Sequence, residues 1–318
     1  MRRIAIVNPT NLLGKELREE IERRPGLFGH LELLATDEDE IGRLTESYGS
    51  AAMVRRLEPG DLDDLDTVFL LGPAATWRPL LTELSTGVTA IVVSREAEAT
   101  DGPPVVAGVN SWAAAGSSVL VSPHAGVVLL AQLIGALSPL PLLAASATVM
   151  QPASVFGEEG MDELFEQTRA ILTFSQERPE AVFGRQLAFN LYPAEPAADL
   201  KGDLAAVLGE HAPQLSVLLL QGGFFHGVAA SVHLTFANDP GLPAIREALG
   251  RAPRVAVEDR DEVASPVEAA NSGEILVGAL RAEGGGRYWL WAVMDNLTLG
   301  TAKNAADLAE GLGSAATH

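Results

Sequence analysis

A chain of 318 residues without a single cysteine must carry any nucleophilic chemistry on oxygen or nitrogen, and few of its residues are placed for that. Ser122, His124 and His226, with the Gln151 amide beside them, are the candidates: one hydroxyl, two imidazoles able to move a proton near neutral pH, and a group that could orient a substrate or water. The pattern around them is incomplete. Ser122 stands in no G-x-S-x-G elbow. The six histidines show no H-E-x-x-H spacing, and the carboxylates from Asp61 to Asp66 read as a solvated turn before a strand, so no metal site is expected. His226 and His233 would point to opposite faces of a regular strand. The absence of cysteine also removes disulfides and thiolate metal ligands.

Charge excludes further classes. A formal net charge of -20 repels nucleic acid backbones and anionic membrane surfaces alike, so neither is an expected partner. The longest apolar stretches, such as Val127 to Ile134, fall short of the roughly 20 residues of a membrane span. The Met-Arg-Arg opening runs straight into a strand-like segment instead of a signal-peptide core, which predicts a cytoplasmic location.

The elements that must position these groups follow from periodicity. Ile4 to Val7, Leu31 to Ala35, Thr67 to Leu71, Ala90 to Val93 and Val119 to Val121 are short apolar runs bounded by turn residues, as in buried parallel strands, with a charged helix from Gly14 to Arg24 between the first two. Residues 1–123 are therefore expected to form a doubly wound α/β domain. A helix from His124 to Leu137 and a strand from Ala144 to Met150 come next. An amphipathic helix follows, around Glu158 to Ile171, with Met161, Leu164, Phe165, Thr168 and Ile171 on one face. Leu215 to Leu220, Val228 to Phe236, Arg254 to Val257, Glu274 to Leu280 and Tyr288 to Met294 predict a largely antiparallel sheet with helices on one face, an α+β domain over 124–295. A last helix within 296–313, from about Thr301 to Leu312, is expected to pack back on the first domain, and the tail from Gly311 is of low complexity. Trp77 and Trp112 read as packing groups of the first domain, and Trp289 and Trp291 as one face of a strand.

Several ordered segments carry a resemblance. Phe183-Gly-Arg-Gln-Leu-Ala-Phe-Asn190 with Pro193, the helix Met161-Asp-Glu-Leu-Phe-Glu-Gln-Thr-Arg169, the group Pro266, Glu268, Ala269 and Ala270, and Asp295-Asn-Leu297 followed by Gly300 and Asn304 resemble the aspartate-semialdehyde dehydrogenase family over nearly the whole chain. The FGRQLAFN string is similar to the Usg-type paralogues of that family. The resemblance implies a Rossmann-like domain, a semialdehyde dehydrogenase dimerisation domain, and a homodimer with its active site in the cleft between domains. It further implies NADP-dependent reduction of an acyl phosphate to an aldehyde through a Cys thiolate, a His acid and base, a Gln, and Arg or Lys anion clamps.

Position by position, that machinery is eroded. Ala125 stands at the Cys position within Ser122-Pro-His-Ala-Gly-Val127, and Val228 stands at the His position with Gln221 at an Arg position; a two-residue slip would instead bring His226 toward the site. Gln151 keeps the family's Gln. Ala97 falls near the second anion-binding Arg, with Arg95 beside it, and losing two guanidinium partners weakens anion binding by roughly two to four powers of ten. In the cofactor loop, Asn8-Pro-Thr-Asn-Leu-Leu-Gly14 replaces G-x-T-G-x-x-G. Thr10, Asn11 and Gly14, with Lys15 nearby and Asn296 from the closing segment, are the residues the resemblance leaves for a weakened NADP site. Leu71-Gly-Pro-Ala-Ala75 replaces the second glycine loop.

These substitutions predict a pseudoenzyme kept as a dimeric scaffold or regulatory partner, pairing with itself or with a paralogous dehydrogenase. The alternatives are an NAD(P)-dependent oxidoreductase of altered chemistry and a cofactor-binding sensor without turnover.

Overall fold

The computed structural model describes residues 2–114, 116–194, 198–258, 264–270 and 272–315. The chain divides into two compact units, one of Met1–Pro123 with Thr301–His318, the other of His124–Gly300.

In the first unit β1 (Arg2–Val7), α1 (Leu12–Glu22), β2 (Phe28–Ala35), β3 (Leu44–Ser47), β4 (Ser50–Met53), β5 (Arg55–Arg56), β6 (Thr67–Leu71), α2 (Ala74–Trp77), β7 (Thr89–Val93) and β8 (Val119–Val121) follow in order. Six of these strands form one parallel sheet in the order β5-β2-β1-β6-β7-β8. The order reverses direction between β1 and β6, which is the switch point of a doubly wound sheet. Its central strands are apolar because both faces are covered: Ile4, Ile6, Phe69, Ile91 and Leu120 pack on one side, and Val7, Leu34, Leu70, Trp77 and Val92 on the other. The helix Asn304–Ala315 belongs to the first of these layers through Ala305, Ala306, Leu308 and Ala309. Ion pairs hold it there. Arg24, in the turn after α1, meets Asp307 at 2.7 Å, and Lys303, just before the helix, meets Glu20 on α1 at 3.7 Å.

The second unit comprises α3 (Ala125–Ala136), β9 (Leu142–Gln151), α4 (Gly157–Leu172), β10 (Leu191–Pro193), α5 (Leu200–Leu208), β11 (Gln214–Gly222), β12 (Val228–Phe236), α6 (Gly241–Gly250), β13 (Val255–Val257), α7 (Pro266–Ala269), β14 (Ile275–Gly284) and β15 (Arg287–Met294). Its seven-stranded sheet runs β10-β11-β9-β12-β15-β14-β13. The expectation of a largely antiparallel sheet needs amending, since β11 with β9 and β13 with β14 are parallel pairs. Helices α3, α5 and α6 cover one face of it. Met150, Leu220, Trp289 and Trp291 lie on the other face, half-buried, with Leu218 half exposed beside them.

Three readings are corrected. Helix α4 buries only part of its apolar stripe: Leu164 is buried and Met161, Thr168 and Ile171 are half-buried, but Phe165 is 58% exposed, while Glu163 and Gln167 are buried. They turn inward because polar side chains there find backbone partners. Glu163 Oε2 accepts from the Val182 amide at 2.7 Å and Oε1 from Phe183 at 3.1 Å, and Gln167 Oε1 accepts from Leu187 at 2.6 Å and Ala188 at 3.0 Å. Gln167 Nε2 donates to the Pro179 and Arg185 carbonyls at 2.8 and 3.1 Å. Trp112 is a surface group, 72% exposed, whereas Trp77 is fully buried. The closing helix starts earlier than Thr301, as a π-helical turn over Thr298–Lys303, before α8 (Asn304–Ala315) continues it.

Candidate functional site

Three polar side chains singled out in the sequence of the second unit meet at the start of α3. His124 is the N-cap of that helix, and its Nδ1 accepts from the Gly126 amide at 3.0 Å. An amide can only donate, so Nδ1 is unprotonated and Nε2 carries the ring proton, which it gives to Gln151 Oε1 at 3.0 Å. Gln151 ends β9, and its register partner on the neighbouring parallel strand is Gln221. Residues in register on parallel strands share a face at about 4.8 Å, which brings the two amides together. Gln151 Nε2 donates to Gln221 Oε1 at 2.8 Å, and Gln221 Nε2 donates to the Gln151 and Gly222 carbonyls at 3.3 Å each. The result is a neutral chain of hydrogen bonds in which each side chain is both donor and acceptor.

Ala125 is the first residue of α3 and 5% exposed, with Gly300 packed so closely that a Cβ there would lie 2.8 Å from the Ala125 methyl. Val228 opens β12, fully buried, opposite Met294. His226 lies in the turn before β12, exposed. The structure thus brings His124, Gln151 and Gln221 together beside Ala125 and leaves His226 and Val228 outside their hydrogen bonds. Ser122, in the first unit, accepts from Asn304 Nδ2 at 2.9 Å; the same Nδ2 donates to the Val105 carbonyl at 3.2 Å, and Asn304 Oδ1 accepts from the Ala107 amide at 2.9 Å.

Burial holds the His124 imidazole below its ordinary pKa, against the opposite pull of the Gln151 bond. The folded protein therefore binds that proton less readily than the unfolded chain. Stability from this group is present above the usual imidazole value of about 6.5 and is lost as pH falls below it. Asp203 acts the other way. Its carboxyl is pushed up to about 6 by burial and by Asp199, so its contribution declines as pH rises from the ordinary carboxylate range through 6. Subtracting denaturation curves of His124→Asn from those of the parent isolates the first effect: the difference should shrink steadily from pH 7 to pH 5. A difference independent of pH would mean the imidazole is not held neutral.

The glycine-loop positions of the first unit lie at its switch point. Asn8, at the first glycine position, adopts φ +60° and is 2% exposed. Its side chain takes the Thr36 amide at 3.0 Å and donates to Thr76 Oγ1 at 3.2 Å and the Leu71 carbonyl at 3.3 Å, so it spans the ends of β2 and β6. Asn11, at the second, caps α1 by accepting from the Gly14 amide at 2.8 Å. The Thr10 amide is held by Glu40 at 3.0 Å. Gly14 persists for packing: a Cβ there would lie 2.3 Å from the Pro9 carbonyl oxygen. In the second glycine loop the Ala74 amide is held by Glu96 at 2.8 Å. Glu40 and Glu96 carry no motif, and only the acidity of their loops hinted at them. Asn296, in the second unit, is buried and accepts from the Gly227 amide at 2.8 Å while pairing with Ser154. Among the described residues, three or more His, Asp or Glu nowhere gather as a metal site.

A parallel sheet in the order of a dinucleotide-binding fold in one unit, and a seven-stranded mixed sheet in the other, define a two-unit protein of the semialdehyde dehydrogenase type. The family model for the semialdehyde dehydrogenase dimerisation domain matches residues 133–299, and the chain belongs to the aspartate-semialdehyde dehydrogenase family. It is 29% identical over 327 residues to a USG-1 protein homolog of Azotobacter vinelandii, covering 96% of both chains. It is 23% identical to an aspartate-semialdehyde dehydrogenase of Rickettsia conorii, covering 97% of each. A solved structure of a probable aspartate-semialdehyde dehydrogenase from Pseudomonas aeruginosa superposes with a TM-score of 0.91 at 27% identity, over 98% of both chains. No helix among the described residues is long and apolar enough to cross a membrane.

Proposed function

We propose that this protein is a non-catalytic member of its family, retained as a homodimeric scaffold or regulatory partner. The observation that carries the reading is the hydrogen-bond chain His124–Gln151–Gln221 beside Ala125. In it, the position that would hold a thiolate has only a methyl group, the position that would hold a cation has a neutral amide, and the nearest imidazole has both nitrogens engaged. A thioacyl intermediate needs all three roles filled. Because such residues act as a unit, loss of the nucleophile alone lowers turnover by on the order of a million-fold.

The dimer is supported by the matched dimerisation domain and by the half-buried sheet face of Met150, Leu220, Trp289 and Trp291. Apolar groups left partly exposed on a sheet favour association. Pairing with a paralogous dehydrogenase would use the same face.

Two measurements test the reading. Oxidation of aspartate semialdehyde by NADP with phosphate should stay at background, and sedimentation should give a dimer. Phosphate-dependent reduction of NADP above the no-protein rate would sink the non-catalytic reading, and a monomer at micromolar concentration would sink the scaffold.

A further inference from the structure

We infer that the first unit has closed its own dinucleotide site, with the Glu40 and Glu96 carboxylates and the Asn8 and Asn11 side chains taking the places a bound pyrophosphate and its glycines would need. The argument rests on which donors remain. In a doubly wound sheet a dinucleotide crosses the switch point, with its pyrophosphate on backbone amides of the first loop and helix start. Here the Thr10 amide is held by Glu40 and the Gly14 amide by Asn11. Across the sheet the Ala74 amide is held by Glu96.

Space is taken as well as these three donors. The family's first glycine would leave the switch point bare, whereas Asn8 puts a buried amide between Thr36, Leu71 and Thr76. That amide keeps the positive φ which a glycine supplies without strain, so the turn survives while its opening does not. A Cβ at Gly72 would sit 3.4 Å from Asn8 Nδ2, an ordinary van der Waals contact, so the Asn8 side chain lies against the second loop.

Electrostatics act in the same direction. A phosphate reaching the Thr10 or Ala74 amide must displace a carboxylate and then lie beside it. The acidic run Asp37 to Glu40 follows β2, on a chain of net charge -20. Like charges at such range oppose one another even in wet surroundings, and a 2′-phosphorylated cofactor suffers more than an unphosphorylated one.

The test is calorimetric titration of the full-length protein with NADP and with NAD, together with amide hydrogen exchange. Neither nucleotide should give saturable heat up to about 1 mM, and the Thr10 and Ala74 amides should stay protected with or without it. The combined variant Asn8→Gly, Asn11→Gly, Glu40→Gln, Glu96→Gln should gain binding at least about tenfold, NAD before NADP. Saturable binding by the parent below about 0.1 mM, or altered exchange at those two amides on adding nucleotide, would overturn the inference. A folded variant with no gain would equally overturn it, by showing that other groups close the site. Should that variant fail to fold, exchange in the parent decides. Binding without turnover would remove this inference and leave the non-catalytic reading intact.

Discussion

Gln167→Leu is expected to destabilise the protein by about 3 to 5 kcal/mol. The side chain is fully buried, and its single amide accepts from two backbone N–H groups and donates to two carbonyls of the segment from Pro179 to Ala188. Leucine has nearly the same volume but leaves all of those groups without partners. Each buried, unsatisfied backbone group costs about 1 to 3 kcal/mol, and partial relaxation toward water brings the total below the simple sum. Denaturant unfolding reads the effect directly. A loss under about 1 kcal/mol would mean that the segment finds other partners, and that its attachment to α4 is not what orders it.

Gly14→Ala should cost at least about 3 kcal/mol and lower the melting temperature by roughly 6 to 12 °C. Its added methyl would fall 2.3 Å from the Pro9 carbonyl oxygen and 2.8 Å from the Pro9 Cα, both of them backbone atoms that cannot rotate away. The first turn of α1 and the end of β1 would have to separate, and the Asn11 cap with them. Gly26→Ala is the matched control, because a Cβ there meets nothing within 4 Å. Equal stability of the two variants would show that the loop yields easily.

Much of the fold was legible because burial dictates pattern. Five apolar runs between turn residues gave the central strands of the first unit, with Thr67–Leu71 and Val119–Val121 matching residue for residue. The strands β3 and β4 were missed. They form a hairpin whose residues are half-buried or exposed, Leu44 by 76% and Met53 by 59%, so no inside face writes an alternation into the sequence. Of the turn only Gly49 left a trace, since a two-residue hairpin turn requires positive φ at both Tyr48 and Gly49 and tyrosine does not signal it. Parallel pairing of β9 with β11 could not be read either, because pairing partners are settled by tertiary contacts between distant segments.

The candidate site was legible as a list of positions and not as a network. Ala125, Gln151 and Gln221 could be placed by motif, but the register that joins Gln151 to Gln221 is a property of the sheet. The cofactor loop shows the same limit. The Asn8 to Gly14 segment could be singled out, whereas the capture of the Thr10 and Ala74 amides depends on carboxylates 30 and 22 residues away along the chain.

The string Phe183-Gly-Arg-Gln-Leu-Ala-Phe-Asn190, which draws the eye to the family, is gripped by its peptide groups. Glu163 and Gln167 read amides and carbonyls there, and Phe189 itself is 69% exposed. Its presence in a chain therefore certifies an architecture and says nothing of chemistry. A genome survey that counts family members by such a signature reads their architecture alone, and a chain without any cysteine is counted with the rest.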